Sequence, residues 1–213
     1  MLNLSTIKKY DSQKMYKIYD KWPEIARESF ESNLESVDFK NINDIIFAGM
    51  GGSGAIGDIF ASILSKSGIH VNIVKGYLLP KTVNMNSLVV IISVSGNTIE
   101  TLSILQSAQK LNCKIIAFSS GGQILDYCIK NKIQHRLITK YHSPRASFTS
   151  FLYSILKVLH TTLEIKEEDV LESILELEKI KKQICSVNLT DSNPSLNLAK
   201  WITGTPMIYN PFG

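Results

Sequence analysis

The sequence is short of cysteine, and its few cysteines are not spaced for a disulfide framework or a metal site. The 213 residues include three cysteines, Cys113, Cys128 and Cys185, which are odd in number, far apart and without a C-x-x-C pair. Isolated thiols are typical of a reduced chain, so we expect a cytoplasmic protein with small, unpaired thiols. Cys128, His135 and His142 offer one conceivable metal site, but their spacing matches no closed zinc pattern, so we expect no metal.

Long apolar runs and a strong charge of one sign are also lacking. No apolar run reaches the roughly 18 residues that a membrane-spanning helix needs, and residues 1–11 lack the apolar centre of a secretory signal. The formal net charge is only +4, and the charges are scattered, so we expect no nucleic-acid or membrane partner. Hydrophobic residues make up 44% of the chain, which excludes a disordered tail.

Short apolar runs alternate with helical patterns through the middle of the chain. The predicted strands are residues 45–48, 71–74, 88–92, 114–118 and 135–138. The predicted helices between them are residues 55–67, 99–111 and 124–130. Strands that are apolar on both faces suit a parallel sheet covered on both sides, so the alternation predicts a doubly wound α/β fold with right-handed crossovers.

The segments that flank this alternation have helical patterns. Residues 11–34 predict one or two helices, with Pro23 at a first helical position. Residues 147–163 predict an apolar helix, and residues 167–184 predict a charged amphipathic one. Residues 186–197 are polar and are predicted to be a linker.

A glycine-rich turn follows the first predicted strand and opens a helix. Residues 49–54, GMGGSG, have the G-x-G-x-x-G spacing that lets a backbone approach an anion at a helix N-terminus. A dinucleotide site would need an acid at the end of the second strand, where this chain has Lys75. An NADP site with Lys75 facing the 2′-phosphate stays open as an alternative, and so does a tight turn without a ligand.

A second candidate anion loop follows the third predicted strand. The segment SVSGNT places the hydroxyls of Ser93, Ser95 and Thr98 beside the free N–H groups of a helix start. Asn97 and Glu100, three residues apart, are spaced as a capping pair that would fix this start. Capping needs one such side chain rather than three, so the loop predicts a site for a phosphate monoester.

Together with two later motifs, these loops make the chain resemble a known family. The S-x-S-x-x-T loop is similar to that of the SIS (sugar isomerase) domain. GMGGSG, SVSGNTIETL, SSGG at 119–122 and SPRAS at 143–147 occur in the same order in one branch, the bifunctional phosphoglucose/phosphomannose isomerases of archaeal type. The resemblance covers about residues 10–213. It implies a three-layer α/β/α fold with a flavodoxin-like five-stranded parallel sheet, present in two SIS subdomains with the active site between them, and a homodimer.

The resemblance also implies roles for particular residues. The residues that would bind the phosphate of a sugar-phosphate substrate are Gly51, Gly52, Ser53, Ser93, Ser95 and Thr98. Arg145 would be catalytic and stabilise an enediolate. The implied reaction interconverts glucose 6-phosphate or mannose 6-phosphate with fructose 6-phosphate, and it requires neither a metal nor a cofactor.

Arg145 also stands out without the resemblance. Of the 23 basic side chains only three are arginines, Arg27, Arg136 and Arg145. Arg145 follows the fifth predicted strand, at the edge where α/β sheets bind ligands. A planar and permanently charged guanidinium suits an oxyanion better than an ammonium group does. The alternative is a surface arginine that caps the helix starting near Ser147.

The resemblance divides the chain and leaves the catalytic base unassigned. We expect an N-terminal helical segment at 1–35, a first SIS domain at 36–160, connecting helices and a linker at 161–200, and the start of a second SIS domain at 201–213, with a strand candidate at 206–209. The family's base glutamate and its ring-opening histidine and lysine would come later, so we expect a sequence truncated at its C-terminus. A non-catalytic sugar-phosphate-binding SIS module and an NADP-binding domain stay open as alternatives.

Overall fold

A five-stranded parallel sheet lies at the centre of the computed structural model, which describes residues 3–203. The strands are β1 (Asp44–Ala48), β2 (His70–Val74), β3 (Ser87–Ser93), β4 (Lys114–Ser119) and β5 (Gln134–Leu137). Their order across the sheet is β2-β1-β3-β4-β5, and each neighbouring pair is parallel. This is the flavodoxin-like order, so the predicted doubly wound, five-stranded sheet is confirmed.

Helices cover both faces of the sheet, and further helices precede the first strand and follow the last strand in the sequence. They are α1 (Leu4–Tyr10), α2 (Met15–Asp20), α3 (Trp22–Phe30), α4 (Gly52–Ile63), α5 (Ile99–Lys110), α6 (Gly122–Lys130), α7 (Phe148–Leu159), α8 (Glu167–Ile184) and α9 (Pro194–Ile202). A 3-10 turn, Leu64–Lys66, extends α4. Pro23 lies in the first turn of α3, as predicted.

The two faces of the sheet bury separate apolar clusters. On one face Phe47 and Phe60 stack with their ring centres 4.9 Å apart, in a cluster that includes side chains of α3, α4, α7 and α8. On the other face α5 and α6 cover a cluster that contains Leu105. Val90 belongs to the first cluster and its neighbour Val89 to the second, since successive strand residues point to opposite faces. All of β3 is buried, as a central parallel strand requires.

The polar segment at 186–197 is not a linker throughout its length, because α9 begins at Pro194. Asn193 Oδ1 accepts hydrogen bonds from the N–H groups of Ser195 (2.8 Å) and Leu196 (3.1 Å). An asparagine cap followed by proline at the first helical position is a helix start signal that the polar composition hides. The predicted strand at 206–209 lies outside the described residues.

The described residues contain neither a membrane-spanning helix nor a metal-binding cluster, and their cysteines are unpaired. No helix within residues 3–203 is long and apolar enough to cross a membrane. In the same part of the chain, no three His, Cys, Asp or Glu side chains are grouped so that they could hold a metal ion. Cys128 is buried, Cys113 and Cys185 are half-buried, and all three thiols are unpaired.

Candidate functional site

The topology creates a crevice at the carboxyl edge of the sheet, between β1 and β3. These strands are neighbours, but α4 follows β1 onto the face that carries Phe47, whereas α5 follows β3 onto the opposite face. The strand order reverses at this point, and open α/β sheets bind ligands where that happens. The glycine loop follows β1 and the serine loop follows β3, so both predicted anion loops flank the crevice.

Three helices begin at this edge, after three neighbouring strands. The N-cap residues of α4, α5 and α6 are Gly51, Thr98 and Gly121, and none of the three caps its helix through a side chain of its own. At α6 the N–H of Gln123 donates to Asn97 Oδ1, whereas within residues 3–203 the first N–H groups of α4 and α5 have no side-chain acceptor. Such groups, with the positive end of the helix dipole, favour an anion at this edge.

The serine loop brings its three hydroxyls together at the start of α5. Ser93 Oγ lies 3.0 Å from Thr98 Oγ1, and Ser95 Oγ lies 3.5 Å from the same atom. Ser93 Oγ accepts from the N–H of Gly96 (3.1 Å), and Ser95 Oγ accepts from the N–H of Asn97 (3.2 Å). Ser93 is buried, Thr98 half-buried and Ser95 exposed. The hydroxyls thus fix the shape of the loop and reach from the core to the solvent.

The SSGG turn after β4 packs directly against the serine loop. Gly96 has a φ of +68°, and a Cβ at this position would lie 1.6 Å from the carbonyl oxygen of Gly121. The carbonyl of Gly96 accepts from the N–H of Ile124 (2.9 Å), and Asn97 Oδ1 accepts from the N–H of Gln123 (3.1 Å). Position 96 therefore requires glycine, both for its φ and for this close approach.

Asn97 does not form the predicted capping pair with Glu100. Its side-chain oxygen accepts from the N–H of Gln123, 26 residues further along the chain. Glu100 interacts instead with Tyr77, and the nearby carboxylate raises the pKa of that phenol above its ordinary value. Sequence reasoning missed the role of Asn97 because its partner belongs to another loop, and no local spacing indicates such a contact.

The glycine loop crosses close to β3 and then opens toward solvent. A Cβ at Gly49 would lie 3.0 Å from the carbonyl oxygen of Ile92, whereas a Cβ at Gly51 or Gly52 would meet nothing within 4 Å. Gly51 and Gly52 are exposed and Ser53 is half-buried. Within residues 3–203 no hydrogen bond joins these three residues to the hydroxyls of the serine loop. The structure therefore places both loops at one edge, with open space around the glycines.

Arg145 lies at the same edge, on the loop that follows β5. Its side chain is exposed, and its guanidinium makes no hydrogen bond or ion pair with any residue in the range 3–203. It does not cap α7, because the N-cap residue is Ser147 and no side chain caps that helix, so of the predicted alternative only the surface position agrees with the structure. A charged group without a partner at a ligand-binding edge is available to an anion.

Lys75, on which an NADP site would depend, already has an acidic partner. Its Nζ lies 2.8 Å from Asp58 Oδ2. The aliphatic stem of Lys75 passes over the start of α4, where a Cβ at Gly54 would lie 3.0 Å from Lys75 Cε. A 2′-phosphate would have to compete with the Asp58 carboxylate, so this contact counts against the NADP alternative.

A cleft of about 860 Å³ lies at the opposite, amino edge of the sheet. Its lining includes Leu64, Leu163 and Val170, together with Lys66 and Asp169. None of the predicted site residues lines this cleft. Size alone therefore does not identify the candidate site, and the chemistry of the side chains favours the carboxyl edge.

The sheet order and the two loops define a doubly wound α/β domain with its candidate site at the carboxyl edge of the sheet. The chain belongs to the SIS domain family, whose model matches residues 38–163. This confirms the predicted family.

Curated relatives extend the similarity beyond that segment. The chain is 30% identical over 201 residues to the bifunctional phosphoglucose/phosphomannose isomerase of Caldicellulosiruptor bescii, a match that covers 90% of this chain and 58% of that protein. The protein of the same name from Aquifex aeolicus is 29% identical, over 82% of this chain and 55% of the relative. The chain therefore spans little more than half the length of the curated relatives it matches.

Solved structures share the fold at lower identity. A putative tagatose-6-phosphate ketose/aldose isomerase from Clostridium novyi NT has a TM-score of 0.63 and 18% identity, and the match covers 96% of this chain and 58% of that one. A hypothetical protein from Thermus thermophilus has a TM-score of 0.64 and 16% identity, over 92% of this chain and 50% of that one.

Proposed function

We propose that the protein is a sugar-phosphate isomerase that interconverts glucose 6-phosphate or mannose 6-phosphate with fructose 6-phosphate. The observation that carries this proposal is the convergence of the Ser93, Ser95 and Thr98 hydroxyls at the start of α5, beside the crevice between β1 and β3. The names of the curated relatives support the same class of reaction.

The serine loop is suited to the phosphate end of the substrate. A phosphate dianion at the start of α5 would accept from N–H groups that have no side-chain acceptor and from the Ser95 and Thr98 hydroxyls. The backbone of the loop is already held by its contacts with Gly121 and Gln123. Binding therefore exchanges hydroxyl hydrogen bonds within the loop for bonds to phosphate, with little ordering of the chain.

We infer that Arg145 acts at the reacting end of the substrate. The strands β3 and β5 are two strand spacings apart, about 10 Å, which is comparable to the length of an extended hexose phosphate. In the proposed reaction a base removes the proton from C2 of the aldose. The electrons of that bond form a C1–C2 double bond, and negative charge develops on the carbonyl oxygen as an enediolate. The Arg145 guanidinium would stabilise this oxyanion. A proton then moves from O2 to O1, and reprotonation at C1 gives the ketose.

The catalytic base is not assigned to any residue of the described chain. Among residues 3–203 no carboxylate is hydrogen-bonded to the serine loop or paired with Arg145. A non-catalytic sugar-phosphate-binding module is the second candidate function, and this observation favours it. The predicted homodimer, the absence of a cofactor and the domain division at residues 35, 160 and 200 stay predictions.

Calorimetry and isotope exchange with the 213-residue chain test the proposal. Fructose 6-phosphate should bind, whereas free fructose should not, since the phosphate supplies most of the recognition. NADPH should not compete. If NADPH binds and fructose 6-phosphate does not, the proposal is wrong. Deuterium from the solvent entering C1 of fructose 6-phosphate would establish a functional base, and binding without exchange would favour the binding module.

A further inference from the structure

The loop that carries Arg145 is held by helices that lie outside the segment matched by the SIS family. We propose that Trp22, at the start of α3, is a positioning residue that fixes the backbone next to Arg145. The inference rests on the proposed function, because it gives Arg145 a role at the reacting end of the substrate. Since the family match spans residues 38–163, the N-terminal helical segment would then be a working part of the site.

Trp22 contacts this loop at the residue that follows Arg145. Its indole N–H donates to the carbonyl oxygen of Ala146 at 3.1 Å, and its ring packs on Phe148 with the ring centres 6.3 Å apart. Ala146 is completely buried. A buried carbonyl that loses its donor is costly, so the contact holds this peptide group in one orientation.

The rest of the loop is folded on itself around one serine hydroxyl. Ser147 Oγ accepts from the N–H of Tyr141 (2.9 Å) and donates to the carbonyl of Ser143 (2.9 Å). The N–H of Ala146 donates to Ser143 Oγ (3.3 Å). These bonds shape the loop from within, and Trp22 is the side chain that ties it to α3.

The helix that carries Trp22 is anchored independently of this loop. Ile25 and Phe30 are buried, and α3 packs against α7 and α8. Arg27 also donates to Glu178 of α8 at 2.9 Å. The start of α3 is therefore a fixed point. Replacing Trp22 with Phe removes the N–H donor while keeping an aromatic ring in the same packing.

A positioning role is distinguishable from simple packing, because the two ends of the site depend on different elements. The serine loop is held by the turn after β4, whereas the Arg145 loop is held by α3. A loss of the Trp22 hydrogen bond should therefore weaken binding of a negative charge at the reacting end and leave binding at the phosphate end unchanged. A general loss of packing would weaken both.

The test compares Trp22→Phe with Trp201→Phe, the same change in α9, in the 213-residue chain. The probes are inorganic phosphate and a phosphorylated five-carbon aldonate, whose carboxylate imitates the enediolate. For Trp22→Phe we expect the Kd of the aldonate to rise about 3- to 10-fold, the effect of one lost hydrogen bond, with phosphate affinity within about 2-fold of wild type. Trp201→Phe should change neither. An unchanged aldonate Kd, or an equal rise for both probes, would overturn the inference.

A fluorescence measurement covers the case in which Trp22→Phe does not fold. In the Trp201→Phe background Trp22 is the sole tryptophan, and aldonate should change its emission with the Kd measured by calorimetry. Adding Arg145→Ala should abolish that change while phosphate still binds. The inference is overturned if the aldonate does not change the Trp22 emission, or if it changes the emission equally in the Arg145→Ala variant.

The outcomes also separate this inference from the function on which it rests. If neither probe binds the wild-type chain, the proposed function is wrong and the inference falls with it. If both probes bind and Arg145→Ala weakens the aldonate but Trp22→Phe does not, the proposed function stands and only the role of Trp22 is refuted.

Discussion

Replacing Gly96 with alanine should both destabilise the fold and disrupt the serine loop. The added Cβ would lie 1.6 Å from the carbonyl oxygen of Gly121, far inside any tolerable contact. The obstructing atom belongs to the backbone, so no side-chain rotation relieves the clash. The turn after β4 must move away from the loop, or the loop must move into the crevice.

The size of the effect follows from the contacts that this movement breaks. Alanine at a φ of +68° costs about 1–2 kcal/mol in backbone strain. Separating the two turns also removes the hydrogen bonds from Ile124 N–H to the Gly96 carbonyl and from Gln123 N–H to Asn97 Oδ1. Each contributes about 0.5–1.5 kcal/mol, so the free energy of unfolding should fall by about 2–5 kcal/mol in total.

Urea denaturation followed by far-UV circular dichroism measures this change, and Gly76→Ala is the matched control. Gly76 lies after β2 at the same edge, has no positive φ, and a Cβ there would meet nothing within 4 Å. Gly76→Ala should leave stability unchanged or raise it by about 0.4–1 kcal/mol. Mutual support of the two turns is refuted if the free energy of unfolding of Gly96→Ala lies within about 1 kcal/mol of the wild-type value. It is also refuted if Gly96→Ala binds inorganic phosphate as well as the wild type does.

Three further predictions concern the phosphate, a buried thiol and the NADP alternative. Thr98→Val should weaken binding of inorganic phosphate by about 1–3 kcal/mol in calorimetry. Thr98→Ser keeps the hydroxyl and should bind phosphate like the wild type. If both variants bind phosphate equally well, the Thr98 hydroxyl does not contact the phosphate. Burial raises the pKa of the Cys128 thiol from 9.0 to about 11. The folded state thus holds this proton more tightly than the unfolded state, and the resulting stability is complete below pH 9 and is lost as the pH rises toward 11. The stability difference between the wild type and Cys128→Ala should shrink by about 2–3 kcal/mol over that interval in urea titrations, and a constant difference would contradict the cause given for the shift. Lys75→Met should leave the affinity for fructose 6-phosphate unchanged within about 2-fold, because the ammonium is paired with Asp58; a large loss would place that lysine in the site.

The sheet could be predicted because its strands carry their own signal. Residues 88–92 are apolar on both faces, and β3, Ser87–Ser93, is buried throughout. The other strand predictions likewise agree with the structure to within a residue or so at each end. In a parallel sheet the loops that follow the strands all lie at the carboxyl edge. The strand positions alone therefore predict that the glycine and serine loops share that edge.

The contacts that support the site could not be predicted, because they join distant parts of the chain. Asn97 has the spacing of a local cap, and only the packing of the turn after β4 shows that it accepts from Gln123 instead. Trp22 is separated from Ala146 by 124 residues, and nothing in its neighbourhood indicates a loop as its partner. Local patterns predict where a chain turns, but they do not show which distant segment a side chain contacts.

The two ends of the candidate site therefore differ in how they are held. The phosphate end is fixed within the sheet domain, by the hydroxyls of the serine loop and the close approach of Gly96 to Gly121. In our proposal the arginine end depends on the N-terminal helices, because Trp22 donates to the carbonyl of Ala146, the residue after Arg145. A ligand that carries only a phosphate reports on the first end, and one that carries a second negative charge reports on both. Comparing such a pair of ligands across variants of α3 and of the serine loop thus assigns each element to the end of the substrate that it serves.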